Sequence, residues 1–554
     1  MGPNKLSKNK PFSTLPLFIL SLTLILVIFR SLRSENEVGS KTTDFSTSVS
    51  YPEWYRAIAH ELSPKKIRIG LVNVHNKTAN DIALELMHGG EAEIVKVDFD
   101  HVDNDRVKWS NLFPEWINED NPDKQKCPEI PMPRFEDYGE LDVVVANVTC
   151  PVGGEKGMGI RDVFRLQVNL VVANLLVSSR LEYLEDKMKY VVFLGGSCGP
   201  MGEIFRCDDL FLDDGGWSIY RPDLRRLKQK VLMPVGTCQL ARPFSESGQE
   251  GWRRYTFNNA LYQSREAYVT VLHSSEAYVC GAIALAQSII QSNSTKDLVL
   301  LADDHISTKS LQGLKAAGWK IKRIKRIRSP QATKDAYNEW NYSKLRIFQL
   351  TEYDKVIFID SDFIVLRNLD DFFVYPQLSA VGNNEHIFNS GLMLVEPSEC
   401  TFQTLMRKRF AVTSYNGGDQ GFLNEVFTWW HRWPGRLNFL KFFGDSFSLM
   451  RPKIPVNLYT IHYLGVKPWM CYKDYDCNWD SLGFQKFASD LAHEKWWQVY
   501  EAMPQKLRPY CELTPKMDAK IKKWRGKAKS VSLPDRHWKI KVKDPRMHTA
   551  HLMK

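Results

Sequence analysis

The sequence predicts an α/β protein in which two units of alternating strands and helices follow one another. The first observation is a set of short β-branched runs between residues 65 and 245, namely IRIGLVNV, EIVKVDF, LDVVVANV and YVVFLG. The second is a helical pattern from Asp162 to Leu184, with apolar residues three and four apart, between the last two runs. The third is a new series from Glu266, in which AYVTVLHSSEAYVCGAIALAQSII predicts a strand, a turn and a helix before further strands. Strands alternating with helices favour parallel sheets.

The basic charge of the chain is concentrated at its C-terminus. Lys and Arg number 74 against 64 Asp and Glu, a formal net charge of +10. Residues 516–554 hold ten Lys and three Arg against three Asp, so this segment accounts for the whole excess. Such a run predicts a solvated or weakly ordered tail, with an acidic polysaccharide or an anionic lipid surface as the alternative. No recognition motif for nucleic acid accompanies it, so nucleic acid is not an expected partner.

An uncharged apolar stretch, PFSTLPLFILSLTLILVIF, runs from Pro11 to Phe29. As a helix it spans about 28 Å, close to the thickness of a bilayer core. Lysines before it and arginines after it favour a cytoplasmic N-terminus. A cleaved signal peptide is the alternative, but the following FRSLRSENE is a poor cleavage site. The stretch therefore predicts a single-pass type II membrane protein with a lumenal body.

Cysteine and asparagine patterns agree with a lumenal body. The ten cysteines are an even number, compatible with disulfides in an oxidising compartment. Cys471 and Cys477 are close enough in sequence to pair, and they lack the second ligand pair of a zinc site. The chain also has four N-glycosylation acceptor triplets, at Asn76, Asn147, Asn293 and Asn341.

These patterns divide the chain into six predicted segments. They are a cytoplasmic tail (1–10), a signal-anchor helix (11–29), a stem (30–64), a smaller α/β domain of unassigned role (65–245), a catalytic α/β domain (266–478) and a helical, basic C-terminal tail (479–554).

Two carboxylates follow the most apolar strand candidate, in the run Val356-Ile-Phe-Ile-Asp360-Ser-Asp362. Residues i and i+2 of an extended segment point the same way, so both side chains can reach one hard cation. Mg²⁺ and Mn²⁺ prefer such oxygen ligands and commonly bridge to substrate phosphates. An Asp-rich turn with no ligand is the plain alternative.

A second candidate is the segment Ile461-His462-Tyr-Leu-Gly465-Val-Lys467-Pro-Trp469. Histidine is a good ligand for divalent metals. Glycine lets the backbone approach a phosphate, and lysine supplies a point charge to it.

Two short polar insertions in apolar surroundings suit recognition of sugar hydroxyls. They are Phe388-Asn-Ser-Gly391 and Asn416-Gly-Gly-Asp-Gln-Gly421. Taken singly, each is an ordinary turn.

The order of these four motifs resembles glycosyltransferase family 8, the glycogenin-like group of retaining enzymes with the nucleotide-sugar-binding α/β fold called GT-A. The resemblance covers roughly residues 266–478. The long N-terminal half, the predicted anchor and the spelling HYLGVKPW are similar to the plant UDP-glucuronate:xylan α-glucuronosyltransferases. The resemblance implies transfer of glucuronic acid from UDP-glucuronate to xylan in the Golgi, with retention of configuration. Galacturonosyl, glucosyl or lipid glucuronosyl transfer stays open, as does homo- or hetero-oligomer formation.

The resemblance also implies roles for individual residues. The expected Mn²⁺ ligands are Asp360, Asp362 and His462. The expected catalytic residues are Lys344, in SKLRIF, and Asp419. The expected UDP-sugar contacts are, besides these, Leu272, Ser274, Ser275, Tyr278, Ser361, Asn389, Ser390, Gly391, Asn416, Gly417, Gly418, Gln420, Gly465 and Lys467. Asn416 stands where glycogenin has Asp, and the stretch from Gly465 to Lys467 is one residue shorter than in glycogenin.

Three basic side chains near the motifs are candidate partners for a donor carboxylate, Arg346, Arg367 and His386. Two rival functions remain. One is a phosphohydrolase of the haloacid dehalogenase type, which also places Asp-x-Asp after an apolar strand but has no place for HYLGVKPW. The other is an inactive metal-binding scaffold in a wall-synthesis complex.

Overall fold

Two larger sheets and one small sheet, with helices around them, form the described part of the chain. The computed structural model describes residues 51–62, 66–87, 92–121, 127–148, 161–177, 188–195, 199–242, 264–273, 275–383, 387–441, 454–533 and 536–547. The predicted cytoplasmic tail, signal anchor and most of the stem lie outside these residues. Within these ranges, no helix combines the length and the apolar composition needed to cross a bilayer.

The first sheet has six strands in the order β2-β1-β3-β4-β6-β5. The first four strands in this order are parallel, and β6 and β5 are antiparallel additions. Its strands and helices are α1 (Glu53–Ile58), β1 (Ile67–Val72), α2 (Asn76–Met87), β2 (Ala92–Val97), α3 (Trp109–Leu112), β3 (Val143–Asn147), α4 (Val163–Val177), β4 (Tyr190–Leu194), β5 (Leu210–Asp213), β6 (Trp217–Tyr220) and α5 (Leu224–Val231).

Both faces of the first sheet are covered. Val144 and Val191 belong to the hydrophobic cluster that contains α4, whereas Val143 and Val192 belong to a second cluster on the opposite face. Successive side chains of a strand point to opposite faces, so a strand covered on both sides must be apolar throughout. The predicted β-branched runs are therefore confirmed as strands, and the central ones are buried, whereas β2 at the edge of the sheet is only partly buried.

The second sheet has seven strands in the order β14-β12-β13-β10-β7-β8-β9. Strands β10, β7, β8 and β9 are parallel, and β13 is antiparallel to β10 and β12. Its strands and helices are β7 (Glu266–Leu272), α6 (Val279–Gln291), β8 (Asp297–Ala302), α7 (Thr308–Ala316), β9 (Lys320–Arg323), β10 (Lys355–Ile359), β12 (Ser379–Gly382), β13 (Phe388–Val395), α8 (Glu399–Lys408), α9 (Asp419–Val426) and β14 (His431–Trp433).

The apolar strand β10 lies at the centre of this sheet. Ile357 and Ile359 pack in the cluster that contains α6, while Val356 and Phe358 pack in the cluster on the other face. Burial on both faces explains the unbroken apolar run and leaves the residues after Ile359 at the carboxyl edge of the sheet. That edge is where open α/β sheets bind ligands.

A third, small sheet lies beside this edge. Its order is β11-β16-β15, formed by Phe363–Val365, Thr460–His462 and Phe439–Leu440. Strands β11 and β16 are antiparallel, with Phe363 opposite His462. This pairing brings the His462 segment to the residues that follow β10.

The two larger sheets are joined by several contacts. A disulfide links Cys207 to Cys400 in α8. Buried Arg206 lies 2.8 Å from the Glu396 carboxylate. The Arg432 side chain, in β14, donates to the carbonyl of Thr237. Residues 51–554 accordingly form one compact unit, while the predicted boundary between two domains stays a prediction.

Eight of the ten cysteines lie in the described residues and are paired. The disulfides are Cys127–Cys238, Cys207–Cys400, Cys280–Cys511 and Cys471–Cys477. The predicted local pair Cys471–Cys477 is confirmed.

The C-terminal region contains two further helices, α10 (Asp490–Ala502) and α11 (Pro515–Ser530). The expectation was a solvated or weakly ordered tail; the described lysines are exposed, but other residues of the segment are anchored in the protein. Asp544 is 1% exposed, and the Arg546 guanidinium is buried, where it donates to the carbonyls of Trp469, Cys471 and Cys511. Composition showed the positive charge but not the few apolar and ionic anchors that fix the segment.

Candidate active site

The residues after β10 form a compact group with His462. Ligand atoms of Asp360, Asp362 and His462 all lie within 4.8 Å of one another. The His462 Nε2 atom is 3.5 Å from Oδ1 of Asp362, and its ring stacks on Phe363 at 4.1 Å between centroids. Local sequence places the two carboxylates together, whereas the pairing of β11 with β16 brings in the histidine.

The chemistry of this group fits a divalent metal ion. The His462 Nδ1 atom is buried and has no hydrogen-bond partner, so a polar atom with ligating capacity is left over. Burial raises the pKa of Asp360, with Lys344 opposing and Asp362 adding to the rise. Burial works to raise the pKa of Asp362 as well, but Lys467 and His462 outweigh this effect and hold the pKa well below its usual range. Two carboxylates and an imidazole suit Mn²⁺.

Lys344 connects the carboxylates to the predicted sugar-binding motifs. Its Nζ atom lies 3.4 Å from Asp360, 2.5 Å from Oδ2 of Asp419 and 3.1 Å from the carbonyl oxygen of Ser390. Burial works to lower the pKa of Lys344, but Asp360 and Asp419 outweigh it and raise that pKa above its ordinary value. The ammonium group therefore remains charged at neutral pH although it is buried.

The Asn389–Gly391 motif lies on β13, beside the end of β10. The amide of Asp360 donates to the Gly391 carbonyl at 2.8 Å. The Ser390 hydroxyl donates to Oδ2 of Asp419 at 2.7 Å. Oδ1 of Asn389 accepts from the Gly391 amide and from buried Asn438, each at 2.9 Å. A Cβ atom on Gly391 would lie 3.0 Å from the His462 ring, so the absence of a side chain permits this close approach.

The loop that includes Asn416 divides into a structural part and a site-facing part. Oδ1 of Asn416 accepts from the amides of Gly418 and Gly421, so this oxygen shapes its own loop before α9. Gly417 has a φ of +64°. Asp419, at the start of α9, reaches Lys344, and the Gln420 side chain accepts from the Ser390 amide at 3.3 Å.

The described side chains of the turn after β7 make contacts within the protein, and their predicted contacts with the donor stay predictions. Leu272 is 2% exposed and packs in the core, and Ser274 lies outside the described residues. The Ser275 hydroxyl accepts from the Ala277 amide and so caps the turn. Tyr278 is half-buried, with its ring edge-on to Trp469 at 6.0 Å. Burial raises the pKa of Tyr278, and the charges of Lys467, Asp362 and Asp360 also act on it.

Lys467 closes the other side of the metal group. Its Nζ atom donates to Oδ2 of Asp362 and to the Tyr463 carbonyl, each at 2.6 Å. Buried Trp469 donates from its indole nitrogen to the Ala277 carbonyl, which ties this segment to the turn after β7. Ser361, between the carboxylates, is 7% exposed, and its carbonyl would meet a Cβ on Gly281 at 2.4 Å.

Sequence reasoning missed Asn478, which holds the segment between His462 and Lys467. Its Oδ1 atom accepts from the Val466 amide at 2.8 Å, and its Nδ2 atom donates to the Val466 carbonyl at 3.3 Å. Gly465 has a φ of +72°, and a Cβ there would lie 2.4 Å from Oδ1 of Asn478. This glycine is thus explained by the neighbouring asparagine. Asn478 lies ten residues beyond Pro468 in sequence, outside the motif, so the sequence pattern did not indicate its role.

His273 was also missed, although it immediately precedes a predicted contact. It follows β7, and burial lowers its pKa to about 4. The charge of Asp419 opposes this shift, and the charge of Lys344 adds to it. The imidazole is therefore neutral at pH 7 and lies within electrostatic range of Asp419 and Lys344. The run LHSSEAY held the only available signal, a histidine at the carboxyl end of a buried strand.

The basic side chains near the motifs have other partners. Arg346 donates to the Lys325 carbonyl and to Gln349. Arg367 donates to Asn457 and lies over Tyr459. His386 lies outside the described residues.

Comparison with known proteins agrees with this geometry. Residues 269–377 match the model of glycosyl transferase family 8, and residues 43–238 match that of the GUX1-5 N-terminal domain. The chain is 53% identical over 504 residues to putative UDP-glucuronate:xylan alpha-glucuronosyltransferase 4 of Arabidopsis thaliana, covering 89% of each chain. It is 49% identical over 568 residues to putative UDP-glucuronate:xylan alpha-glucuronosyltransferase 5 of the same plant, covering 99% of each.

A more distant relative is human glycogenin-1, which is 28% identical over 253 residues, 42% of this chain and 71% of glycogenin-1. The matched families together account for the GT-A-like α/β fold of the second sheet and for the separate α/β sheet before it. The Asp-x-Asp motif after β10 lies within the residues that match the glycosyltransferase family, so it belongs to a glycosyltransferase and not to a phosphohydrolase. The chain belongs to glycosyltransferase family 8, in the group that carries the GUX1-5 N-terminal domain.

Proposed function

We propose that this enzyme transfers glucuronic acid from UDP-glucuronate to the xylan backbone with retention of configuration. The observation that carries the proposal is the convergence of two carboxylates, one histidine and two lysines at the carboxyl edge of β10. The named plant relatives supply the donor and the acceptor, since two of them match over most of the chain.

In this proposal Asp360, Asp362 and His462 hold Mn²⁺. When bound, the ion would supply positive charge that offsets the negative charge on the leaving UDP. Lys467 and Lys344 flank the ligands, and both are charged, Lys344 being buried and Lys467 half-buried, which makes them suited to stabilise the same negative charge. The carboxylates of Asp360, Asp362 and Asp419 and the two lysine ammonium groups together have a formal charge of −1. A divalent ion would therefore make the site positive and able to accept an anionic donor.

Asp419 is proposed to position the donor sugar rather than to attack it. Its Oδ2 atom already pairs with Lys344 and accepts from the Ser390 hydroxyl. A covalent double displacement needs a free carboxylate on the far face of the sugar. The ion pair lowers the nucleophilicity of this oxygen, which favours front-side attack by the acceptor hydroxyl.

The proposed location is the Golgi lumen, with residues 11–29 as a type II membrane anchor. Four disulfides within the described residues support an oxidising compartment. Asn76 and Asn293, two of the glycosylation acceptors, are exposed, as attachment of a glycan requires.

The experiment is a competition between UDP-glucuronate and UDP-glucose on xylan oligomers, with Mn²⁺ added. Charge-assisted hydrogen bonds to the donor carboxylate contribute about 1.5–3 kcal/mol, or roughly a 10- to 150-fold preference in kcat/KM. Equal kcat/KM for the two donors would refute the glucuronosyl assignment and leave the family assignment intact.

A matched variant tests the metal group. Asp362→Ala should abolish transfer and also abolish hydrolysis of UDP-glucuronate without acceptor, while the circular dichroism spectrum stays unchanged. Asp371→Ala, at an acidic residue outside the metal group, serves as the control and should retain activity. Full activity of Asp362→Ala with unchanged Mn²⁺ dependence would refute the metal assignment. Absence of both transfer and hydrolysis in the unsubstituted enzyme would favour an inactive scaffold.

A further inference from the structure

Helix α11 presents a stripe of four lysines to solvent. Lys516, Lys520, Lys523 and Lys527 are spaced by four, three and four residues, which places them on one face of the helix. All four are exposed. Eleven residues at 1.5 Å each give the stripe a length of about 17 Å.

The charge of this lysine stripe is not neutralised by neighbouring carboxylates. Within the part of the chain that the structure describes, the ion pair on this helix joins Lys522 to Asp518, and none of the four stripe lysines forms one. Lys520 instead lies over the Trp524 ring at 4.8 Å. Like charges three or four residues apart destabilise a helix, so the stripe lowers stability when no anion is present.

The helix that carries the stripe is nevertheless firmly attached. Ile521 and Ala528 are buried, and Tyr472 donates from its hydroxyl to Asp518 at 2.6 Å. Arg525 turns inward and donates to the carbonyls of Trp538 and Ile540. The helix is therefore fixed on the body, so the stripe lysines have a defined spacing along its backbone.

The segment that Arg525 ties to α11 carries more positive charge. Lys539, Lys541 and Lys543 are all exposed. The Lys543 amide is held by Asp474 at 2.9 Å, so this second group also has a fixed position. The fixed positive surface thus extends beyond the helix.

We propose that the lysine stripe of α11 binds a linear polysaccharide that bears uronic acid groups, the product of the reaction. This inference deepens the proposed function and rests on it for the identity of the polysaccharide. A single line of ammonium groups complements a chain with carboxylates along its length. Lysine ammonium groups are hydrated point charges, so each contact is weak and exchangeable, and several together retain the chain.

A membrane surface fits this helix less well. Helices that lie on bilayers have large apolar side chains free for insertion beside the basic face. In α11 those side chains, Met517, Ile521 and Trp524, pack against the hydrophobic cluster around Cys471 and Cys477. The lysines of the helix are exposed, whereas its apolar face is packed against the protein and is not available for insertion into a bilayer.

The test measures binding of the full-length protein to glucuronoxylan, to unsubstituted xylan and to vesicles containing anionic lipid. The test variant replaces the four stripe lysines with glutamine, which has a similar helix propensity. The control variant makes the same change in net charge elsewhere, at exposed lysines of α7, α8 and α10, namely Lys309, Lys315, Lys408 and Lys495. Binding is measured at low and high salt, because screening weakens contacts between exposed charges.

We expect glucuronoxylan to bind the unsubstituted protein and the control variant alike, and the stripe variant at least about fivefold more weakly. Unsubstituted xylan should not distinguish the three proteins. Equal affinity of all three for glucuronoxylan, no binding of glucuronoxylan, or a stripe effect confined to vesicles would each overturn the proposal. Transfer to xylan oligomers is assayed separately, so failure of the proposed reaction is distinguished from failure of the binding surface.

Discussion

Replacing Asn478 with alanine tests whether the backbone of the Gly465–Lys467 segment determines the position of the Lys467 ammonium group. Asn478 is fully buried, and its side chain makes two hydrogen bonds to Val466 and donates a third to Oδ1 of Asp476 at 2.6 Å. The variant leaves an amide and a carbonyl without partners, at about 1–3 kcal/mol for each buried group. We expect a loss of stability of about 2–6 kcal/mol and a more mobile segment.

The effect on the donor follows from Lys467, which lies two residues from Gly465 and 2.6 Å from Asp362. A hydrogen bond to a charged group contributes about 1.5–3 kcal/mol, so misplacement of this ammonium should weaken UDP binding by about 10- to 150-fold at most. The assay is the Kd of UDP by calorimetry with Mn²⁺ present, together with KM and kcat for the donor. Acceptor KM should change little.

Two comparisons separate positioning from a general loss of stability. Asn169→Ala removes a buried asparagine of α4, beside the first sheet, that bonds the Arg165 carbonyl and the Met201 amide, so it should lower stability without changing UDP affinity. In a Lys467→Ala background, Asn478→Ala should have almost no further effect on UDP binding, because coupled residues are not additive. Additive effects, or an unchanged Kd in the single variant, would refute the reasoning.

Three further outcomes are expected. Removing residues 1–33 should yield an active enzyme, because every predicted site residue lies beyond them; a folded but inactive product would show that the segment does more than anchor. Cys207→Ser breaks a disulfide with a sequence separation of 193 that joins the two sheets, and should lower the free energy of unfolding by about 2–5 kcal/mol; an unchanged denaturation midpoint would contradict this. Burial lowers the pKa of Lys230 to about 8, below its unfolded value of about 10.4. The unfolded state then binds more protons between those values, so stability should rise from pH 8 to 10 relative to Lys230→Met; parallel stability curves would exclude this titration.

Local patterns predicted the strands and the paired carboxylates because both depend on neighbouring residues. A central strand buried on both faces must be apolar, and its carboxyl end must leave the sheet, so Asp360 and Asp362 were placed without knowledge of the fold. The local disulfide of Cys471 with Cys477 was predictable for the same reason. The pairing of Cys280 with Cys511, 231 residues apart, was not.

The C-terminal region shows where composition misleads. Its excess of lysine suggested a solvated or weakly ordered tail, yet Arg546 and Asp544 are buried and hold the backbone around Trp469 and Cys471. A few anchoring residues determine whether a basic segment is ordered, and net charge does not report them. The lysines themselves remain on the surface, as their charge requires.

The sequence by itself determined the α/β class, the motif order and the residue types of the metal group, since these follow from periodicity and local chemistry. Only the tertiary structure decided which distant residues complete the site. His462 arrives through the pairing of β11 with β16, and Asn478 through a loop that returns to Val466. The side-chain oxygen of Asn416 shapes its own loop, while its predicted contact with the donor stays a prediction. Such contacts depend on strand register and on which buried polar atoms need partners, and neither is encoded in the spacing of a motif.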